Sequence, residues 1–262
     1  MDILKKTLLE TLKEFHDFCE DHNLQYFLIG GTLLGAVRHQ GFIPWDDDID
    51  VVMPRKDFNQ LLQLSSQLNY PLLLRSPQLQ IHYRYNTTKL TNESLMVQED
   101  AYDPITIGAW IDIFPLDYTF NSESLQKLHF LVAQKLTTIV SFKYDVINID
   151  KLPSKKRFIA PHIKSISKIM PRSLINSLSR YNEKLPSKIF KAKKNLANLG
   201  GAWGRKEVAP KEIFDSRKLY DFEGYMFWGP SDANFWLTKV YGDFMQLPPE
   251  KDRISHHNIK IL

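Results

Sequence analysis

Residues 46–53 read Asp-Asp-Asp-Ile-Asp-Val-Val-Met, four carboxylates in five positions running directly into three residues suited to a buried strand. Side chains on a strand alternate between faces, so Asp46, Asp48 and Asp50 share one side while Asp47, Ile49, Val51 and Met53 take the other. The apolar side reads as core and the acidic side as a site. Three anions spaced about two residue rises apart on one face repel and require a compensating cation. An all-oxygen donor set suits a hard divalent ion such as Mg²⁺ or Mn²⁺. A calcium loop of the EF-hand type is excluded, because Val51 stands where that loop needs glycine and Asp57 where it carries glutamate. The plain alternative is a solvated acidic turn, against which the flanking Pro44-Trp45 and Val-Val-Met weigh.

Sixteen residues before Asp46 lies Gly30-Gly31-Thr32. It follows a short apolar strand, Tyr26-Phe-Leu-Ile29, and is expected to form a tight turn with Thr32 capping one or two helical turns to Arg38. Backbone N–H groups at such a turn and helix N-terminus can receive a phosphate. No Lys-Ser/Thr follows Gly35, so this is not a Walker A loop. Strand, Gly-Gly-Thr, helix, then strand with Asp-x-Asp is more specific than any of its parts. A further carboxylate, Asp112 in Trp110-Ile-Asp-Ile-Phe114, stands between two isoleucines on an expected strand. It either joins the acidic cluster or faces water from a sheet edge.

The remaining pattern is mixed. An amphipathic helix is expected over residues 3–19, ending near Asn23, and a second from Arg55 to about Leu68, opened by Pro54. The first expected strand after the acidic run, Asp48 to Met53, is followed by strand-like segments at Leu72–Leu74, Ile81–Tyr85, Thr87–Leu90 and Trp110–Phe114. Helical periodicity occupies Ser122–Val140 and Arg172–Ala197. The fold class is α/β (α+β): a mixed-sheet core over residues 1–120, a basic helical region over 121–200, and a C-terminal segment, 201–262, completing the active site. The 262 residues, 43% of them hydrophobic, suffice for one large domain or a domain with an elaborated second part. A single cysteine, Cys19, excludes a disulfide framework and a cysteine-based zinc site. The first twenty residues show no h-region, and no apolar run of about 18 residues occurs. A cytoplasmic protein is expected.

Charge is unevenly spread. Between Lys151 and Leu196 thirteen Lys/Arg face the single Glu183, a segment of +12 that leaves −8 on the rest of a chain whose net charge is +4. An anionic partner for that segment follows. Within it, Ile159, Ile163, Ile166, Ile169 and Met170 recur at helical spacing beside Lys155, Lys156 and Arg157. Two readings stand: an interfacial helix peripheral to an anionic membrane, or a helix packed on the core with a solvated cationic face. Nucleic acid is not an expected partner, since no aromatic-interleaved basic motif of a known type appears.

The stretch from Leu28 to Val52, with Ile-Gly-Gly-Thr-Leu-Leu-Gly-Ala-Val-Arg-His-Gln-Gly-Phe-Ile-Pro-Trp-Asp-Asp-Asp-Ile-Asp at its heart, resembles the signature of the LicD family, bacterial phosphorylcholine transferases related to fukutin-related protein. The resemblance continues in Trp110-Ile-Asp-Ile-Phe-Pro-Leu-Asp117, Phe222-Glu-Gly-Tyr-Met-Phe227, Tyr241-Gly-Asp-Phe-Met-Gln-Leu-Pro-Pro249 and His256-His257. It implies a nucleotidyltransferase-like fold. It also implies transfer of a phospho-alcohol, commonly phosphocholine from CDP-choline, onto a sugar hydroxyl of a surface glycopolymer such as teichoic acid, lipopolysaccharide or capsule, with release of CMP. The acceptor would be the glycopolymer or a lipid-linked glycan. The zinc-binding insertion of the mammalian relatives has no counterpart here.

On this resemblance Asp48, Asp50 and Asp112 hold Mg²⁺ or Mn²⁺, and Asp46 either accepts the acceptor's proton or binds metal too. Gly30, Gly31, Thr32, Arg38 and Lys89 are candidates for the phosphates, with Arg38 and Lys89 equally readable as ordinary surface cations. A quaternary ammonium requires an aromatic cage, for which Trp45, Trp110 and Trp228 are candidates unless they are simply core. Tyr241, Asp243, His256 and His257 either line the acceptor rim or cap the fold. The rival readings are a nucleotidyltransferase that moves the nucleoside monophosphate and a silent glycopolymer-binding module.

Overall fold

A computed structural model describes residues 1–80, 82–98, 103–254 and 259–262. The elements in chain order are α1 (Ile3–Asp21), β1 (Phe27–Leu28), α2 (Gly30–His39), β2 (Asp50–Pro54), α3 (Arg55–Leu64), β3 (Leu72–Arg75), β4 (Thr88–Gln98), β5 (Thr106–Thr119), α4 (Glu123–Lys143), α5 (Ser154–Ile169), α6 (Arg172–Lys188), β6 (Asn195–Asn198), β7 (Ala209–Pro210), α7 (Glu212–Asp215), β8 (Arg217–Phe222), β9 (Tyr225–Pro230), α8 (Ala233–Tyr241) and β10 (Lys260–Ile261). The mixed α/β class is as expected.

One mixed sheet carries the molecule. Its path runs β1-β2-β5-β4-β10, with β3 beside β4 and β6 joining β5 to β7. Only β2 and β5 among these neighbours are parallel, pairing Asp50 with Asp112 and Val52 with Phe114. The long β5 therefore lies inside the sheet, between β2 and β4, and Asp112 does not face water from an edge. Val51, Val52 and Met53 are all fully buried, so both faces of β2 are core beyond Asp50. Leu8, Leu12 and Phe15 of α1 and Leu33 of α2 close over the same core.

Several elements differ from the sequence reading. The acidic run is mostly irregular: the strand begins at Asp50 rather than Asp48. Gly30 and Gly31 are the first residues of α2, whose cap is Ile29, so Thr32 lies inside the helix instead of capping it. Helix α3 stops at Leu64 and passes into a 3₁₀ turn, Ser65–Gln67. Residues 82–85 form no strand, and Ile81 lies outside the described residues. The expected strands at Thr87 and Trp110 are longer than read, because β4 and β5 pair along most of their length around an irregularity between Asn92 and Met96.

The largest correction concerns Arg172–Ala197. The helix ends at Lys188, with Pro186 in its last turn and Lys191 at φ +50, and residues 195–198 return to the sheet against Leu116–Thr119. Leu196-Ala197 continued the helical period by chance, while Ala197 is buried against Phe130 and Val208. The segment after the helices is thus part of the main sheet. Arg55 at the start of α3 ties these layers together, bonding Asp117 of β5 and, at 2.9 Å, Glu183 of α6.

Candidate active site

Strand pairing builds the centre of the site. Asp50 opposes Asp112 across β2 and β5, and Asp112 opposes Lys89 across β5 and β4. Directly opposed side chains share a face, so the three form one row across the sheet. Lys89 Nζ donates to both carboxylate oxygens of Asp112, at 3.0 and 3.1 Å, and Trp110 Nε1 donates to Asp112 Oδ2 at 3.0 Å. The ammonium lies 4.1 Å from the Trp110 ring centroid and 5.2 Å from that of Tyr85. Two of the sequence candidates, Lys89 and Trp110, are therefore partners of a third. Lys89 is buried, which removes its reading as an ordinary surface cation.

Asp50 is fixed by its backbone. Its N–H donates to Thr32 Oγ1 at 2.8 Å, its carbonyl accepts from Ile29 N–H at 3.2 Å, and Ile49 O accepts from Asp112 N–H at 2.8 Å. Burial, followed by the charges of Asp48, Asp112, Asp46 and Glu207, pushes the Asp50 carboxyl well above the usual carboxylate range. Such a group lacks enough positive charge around it.

The glycine pair explains how the carboxylates come so close. A Cβ on Gly31 would lie 2.3 Å from Asp46 Oδ2, and one on Gly30 would lie 3.0 Å from Asp50 Oδ2, with Gly30 at φ +62. The first turn of α2 is therefore packed against Asp46 and Asp50, where its dipole favours negative charge. The anion-receiving end predicted for phosphate is here lined by carboxylate, an arrangement in which a cation would have to mediate between phosphate and helix.

The loop that delivers Asp46 is pinned on three sides. Lys5 Nζ donates to Ile43 O and Pro44 O, each at 3.2 Å. Glu223, at the tip of the β8–β9 hairpin, accepts from Phe42 N–H at 3.0 Å and donates its own N–H to Gln40 O at 2.8 Å. A Cβ on Gly41 would collide with Glu223 Oε1 at 2.3 Å, so the glycine admits this clamp. On the third side Trp45 meets His39 edge-on, with Arg253 5.6 Å from its centroid. Glu223 belongs to a motif quoted above without a role, and its contact spans 181 residues.

The C-terminal segment closes the other rim. Tyr241, the last residue of α8, stacks edge-on with Trp203 at 4.9 Å. Burial, then the Asp50, Glu207 and Asp46 carboxylates, raises its hydroxyl well above the usual range despite a hydrogen bond with Trp203. Glu207 accepts from Trp203 N–H at 2.9 Å and is pushed up to about 7 by burial, against the hydrogen bonds from Trp203 and Asn198. Trp203, 44% exposed, also lines an open groove of about 580 Å³ between α4 and the 3₁₀ turn Gly204–Glu207, together with Lys127, Phe130, Leu131, Gln134 and Lys206. Sequence spacing carried no signal for Trp203 or Glu207.

Other candidates lie elsewhere or do other things. Arg38 Nη1 donates to Phe244 O at 2.7 Å, so its guanidinium ties the tail motif to the end of α2. Asp243 is exposed in the turn after α8. Trp228 donates from Nε1 to Glu20 Oε1 at 2.8 Å beneath Arg217, and no ring contact joins it to Trp45 or Trp110. The three tryptophans thus have separate partners. His256 and His257 lie outside the described residues.

Among the described residues no three His, Cys, Asp or Glu side chains converge closely enough to hold a metal ion as they stand. In donor type and charge the cluster still suits one: Asp50 is an under-compensated carboxyl among Asp46, Asp48 and Asp112. Asp112, however, already has its oxygens bonded to Lys89.

Comparison with known proteins adds a second line of evidence. The family model described as LicD/FKTN/FKRP, nucleotidyltransferase domain, matches residues 23–148. The lipopolysaccharide cholinephosphotransferase LicD of Haemophilus influenzae is 30% identical over 282 aligned positions, covering 95% of this chain and 92% of that protein. The ribitol 5-phosphate transferase FKRP of Homo sapiens is 39% identical over 59 positions, 22% of this chain and 12% of that one. An uncharacterised Rickettsia typhi protein is 43% identical over 67 positions, 24% of this chain and 22% of its own.

Proposed function

The chain belongs to the LicD family, and from that premise we propose that it transfers a phospho-alcohol from a CDP-activated donor to a sugar hydroxyl of a cell-surface glycopolymer, releasing CMP. The donor is CDP-choline and the acceptor a lipopolysaccharide, teichoic acid or capsule chain, or its lipid-linked precursor. The observation that carries this reading is the row of Asp50, Asp112 and Lys89 beside the Gly30-Gly31 helix start, in a chain similar along 95% of its length to a lipopolysaccharide cholinephosphotransferase.

Phosphoryl transfer asks a protein for positioning and charge stabilisation more than for covalent chemistry. Asp48 and Asp50, with Asp112, would hold Mg²⁺ or Mn²⁺, which supplies neutralisation of the diphosphate and of the departing CMP. Asp46, set against Gly31 by the pinned loop, takes the proton of the acceptor hydroxyl. The acceptor oxygen bonds the phosphorus carrying the alcohol while the bond from that phosphorus to the CMP oxygen breaks. Lys89 holds Asp112 in place and counters part of the cluster's charge. The Trp203 groove offers the acceptor a ring face for sugar stacking and, in Lys127 and Lys206, cations for its anionic groups.

Purified protein with Mg²⁺ should label a glycan extract from CDP-choline and not from CDP-ribitol or CDP-glycerol, whereas labelling from one of the latter instead would keep the reaction and change its alcohol. Asp48→Asn should abolish the labelling. Near-full transfer by Asp48→Asn with metal supplied would remove the assignment of the carboxylates.

A further inference from the structure

Helix α5 is inside out for a helix packed on a core. Of its large apolar residues Phe158, Ile159, Ile166 and Ile169 are 81, 54, 60 and 84% exposed and Ile163 is half-buried, whereas the fully buried positions are the small residues Ala160 and Ser167. At 100° per residue the four exposed side chains occupy an arc of about 100°, which the exposed Lys155 and His162 share. The inward side is held by polar contacts instead. Lys164 and Lys168 pair with Asp145 at 2.6 and 2.5 Å, and Lys143 Nζ donates to Lys168 O at 3.0 Å. These contacts fix which face points out, so the apolar arc is a property of the fold and not of a loosely placed helix.

We infer that α5 is an interfacial anchor that lays this apolar face into an anionic lipid bilayer. The charge pattern selects that occupant. Lys155, Lys156 and Arg157 are exposed at the first turn, next to Phe158 and Ile159, in a segment of net charge +12. Apolar side chains bordered by cations match the boundary between acyl chains and anionic headgroups. Insertion is shallow, because among the described residues no helix is long and apolar enough to cross a membrane. An anchor here would hold the protein at the surface that carries lipid-linked glycans, yet the inference does not rest on the proposed reaction.

The test is co-sedimentation of the full chain with vesicles of phosphatidylcholine containing phosphatidylglycerol, against phosphatidylcholine alone, at low and high salt. The wild-type chain should bind the anionic vesicles, less at high salt, and scarcely bind the neutral ones. Phe158→Ser/Ile169→Ser should weaken binding by about a hundredfold through lost apolar burial. Lys155→Gln/Lys156→Gln/Arg157→Gln should weaken it by a similar factor, at about tenfold or less per charge. All substituted positions are exposed, so unchanged circular dichroism and unchanged transfer to a water-soluble acceptor should accompany the loss. Wild-type protein that stays in the supernatant with anionic vesicles, or variants that bind as wild type does, would overturn the inference. So would light scattering that shows a dimer dissociated by Phe158→Ser, since a second copy would then cover the face.

Discussion

Replacing Gly31 by alanine separates stability from activity in a way the geometry dictates. Gly31 lies in the first turn of α2, and its new Cβ would stand 2.3 Å from Asp46 Oδ2. Ordinary contact requires about 3.5 Å, so the carboxylate must retreat by about an ångström. It is the end of a short side chain and can do so without moving the backbone. Alanine is favoured over glycine in a helix by up to about 1 kcal/mol, so the folded state should be as stable as before or slightly more so. A reacting group displaced by about 1 Å loses on the order of a hundredfold in rate. Urea unfolding should therefore show an unchanged or higher midpoint, while CMP release with acceptor present falls by about two orders of magnitude. Retained turnover would refute the placement of Asp46 at the reacting centre. A large loss of stability would refute the view that only the carboxylate moves.

Lys89→Met leaves Asp112 in a site where the two side chains are 6% and 11% exposed, and breaking such a buried pair should lower unfolding free energy by about 3–5 kcal/mol. The double variant Lys89→Met/Asp112→Leu should recover most of that loss in urea titrations, though not activity. Glu223→Gln weakens the acceptor for Phe42 N–H and should reduce turnover about tenfold, with at most about 1 kcal/mol of stability lost, if the clamp positions the Asp46 loop. The raised Glu207 carboxyl gives a pH signature. With a folded value of about 7 against an ordinary value of 4.5, its contribution is fully present below 4.5 and fades as pH rises through 7, so stability falls across that window. Glu207→Gln should flatten this slope in thermal melts run between those limits. Trp203→Ala should raise KM for the acceptor several-fold while leaving KM for the CDP-alcohol in place, as measured by initial rates.

Legibility from sequence followed the range of the interactions. The glycine pair at a helix start and the strand that carries Asp112 between two isoleucines were readable because those signals are local, whereas the strand alternation expected over Asp46 to Asp50 is absent, since the chain is irregular until Asp50. The partner of Asp112 was not readable, since the register that sets Lys89 opposite it is decided by the pairing of β4 with β5. Glu223 and Trp203 entered through contacts between distant parts of the chain, for which spacing carries no information. Helix α5 shows a different gap. Periodicity revealed an amphipathic helix but not which face turns inward, a choice made by Asp145 and the small residues Ala160 and Ser167. At Asn195–Asn198 local periodicity pointed to helix and pairing with β5 won.

The central claim is that the bond broken lies between the alcohol's phosphate and CMP. It is tested most directly with two preparations of CDP-choline, one radiolabelled in the phosphorus next to cytidine and one in the phosphorus next to choline. The account predicts that the choline-side label moves to the glycan and the cytidine-side label is recovered in CMP. Appearance of the cytidine-side label on the glycan, with release of phosphocholine, would contradict it and establish nucleotidyl transfer by the same carboxylates.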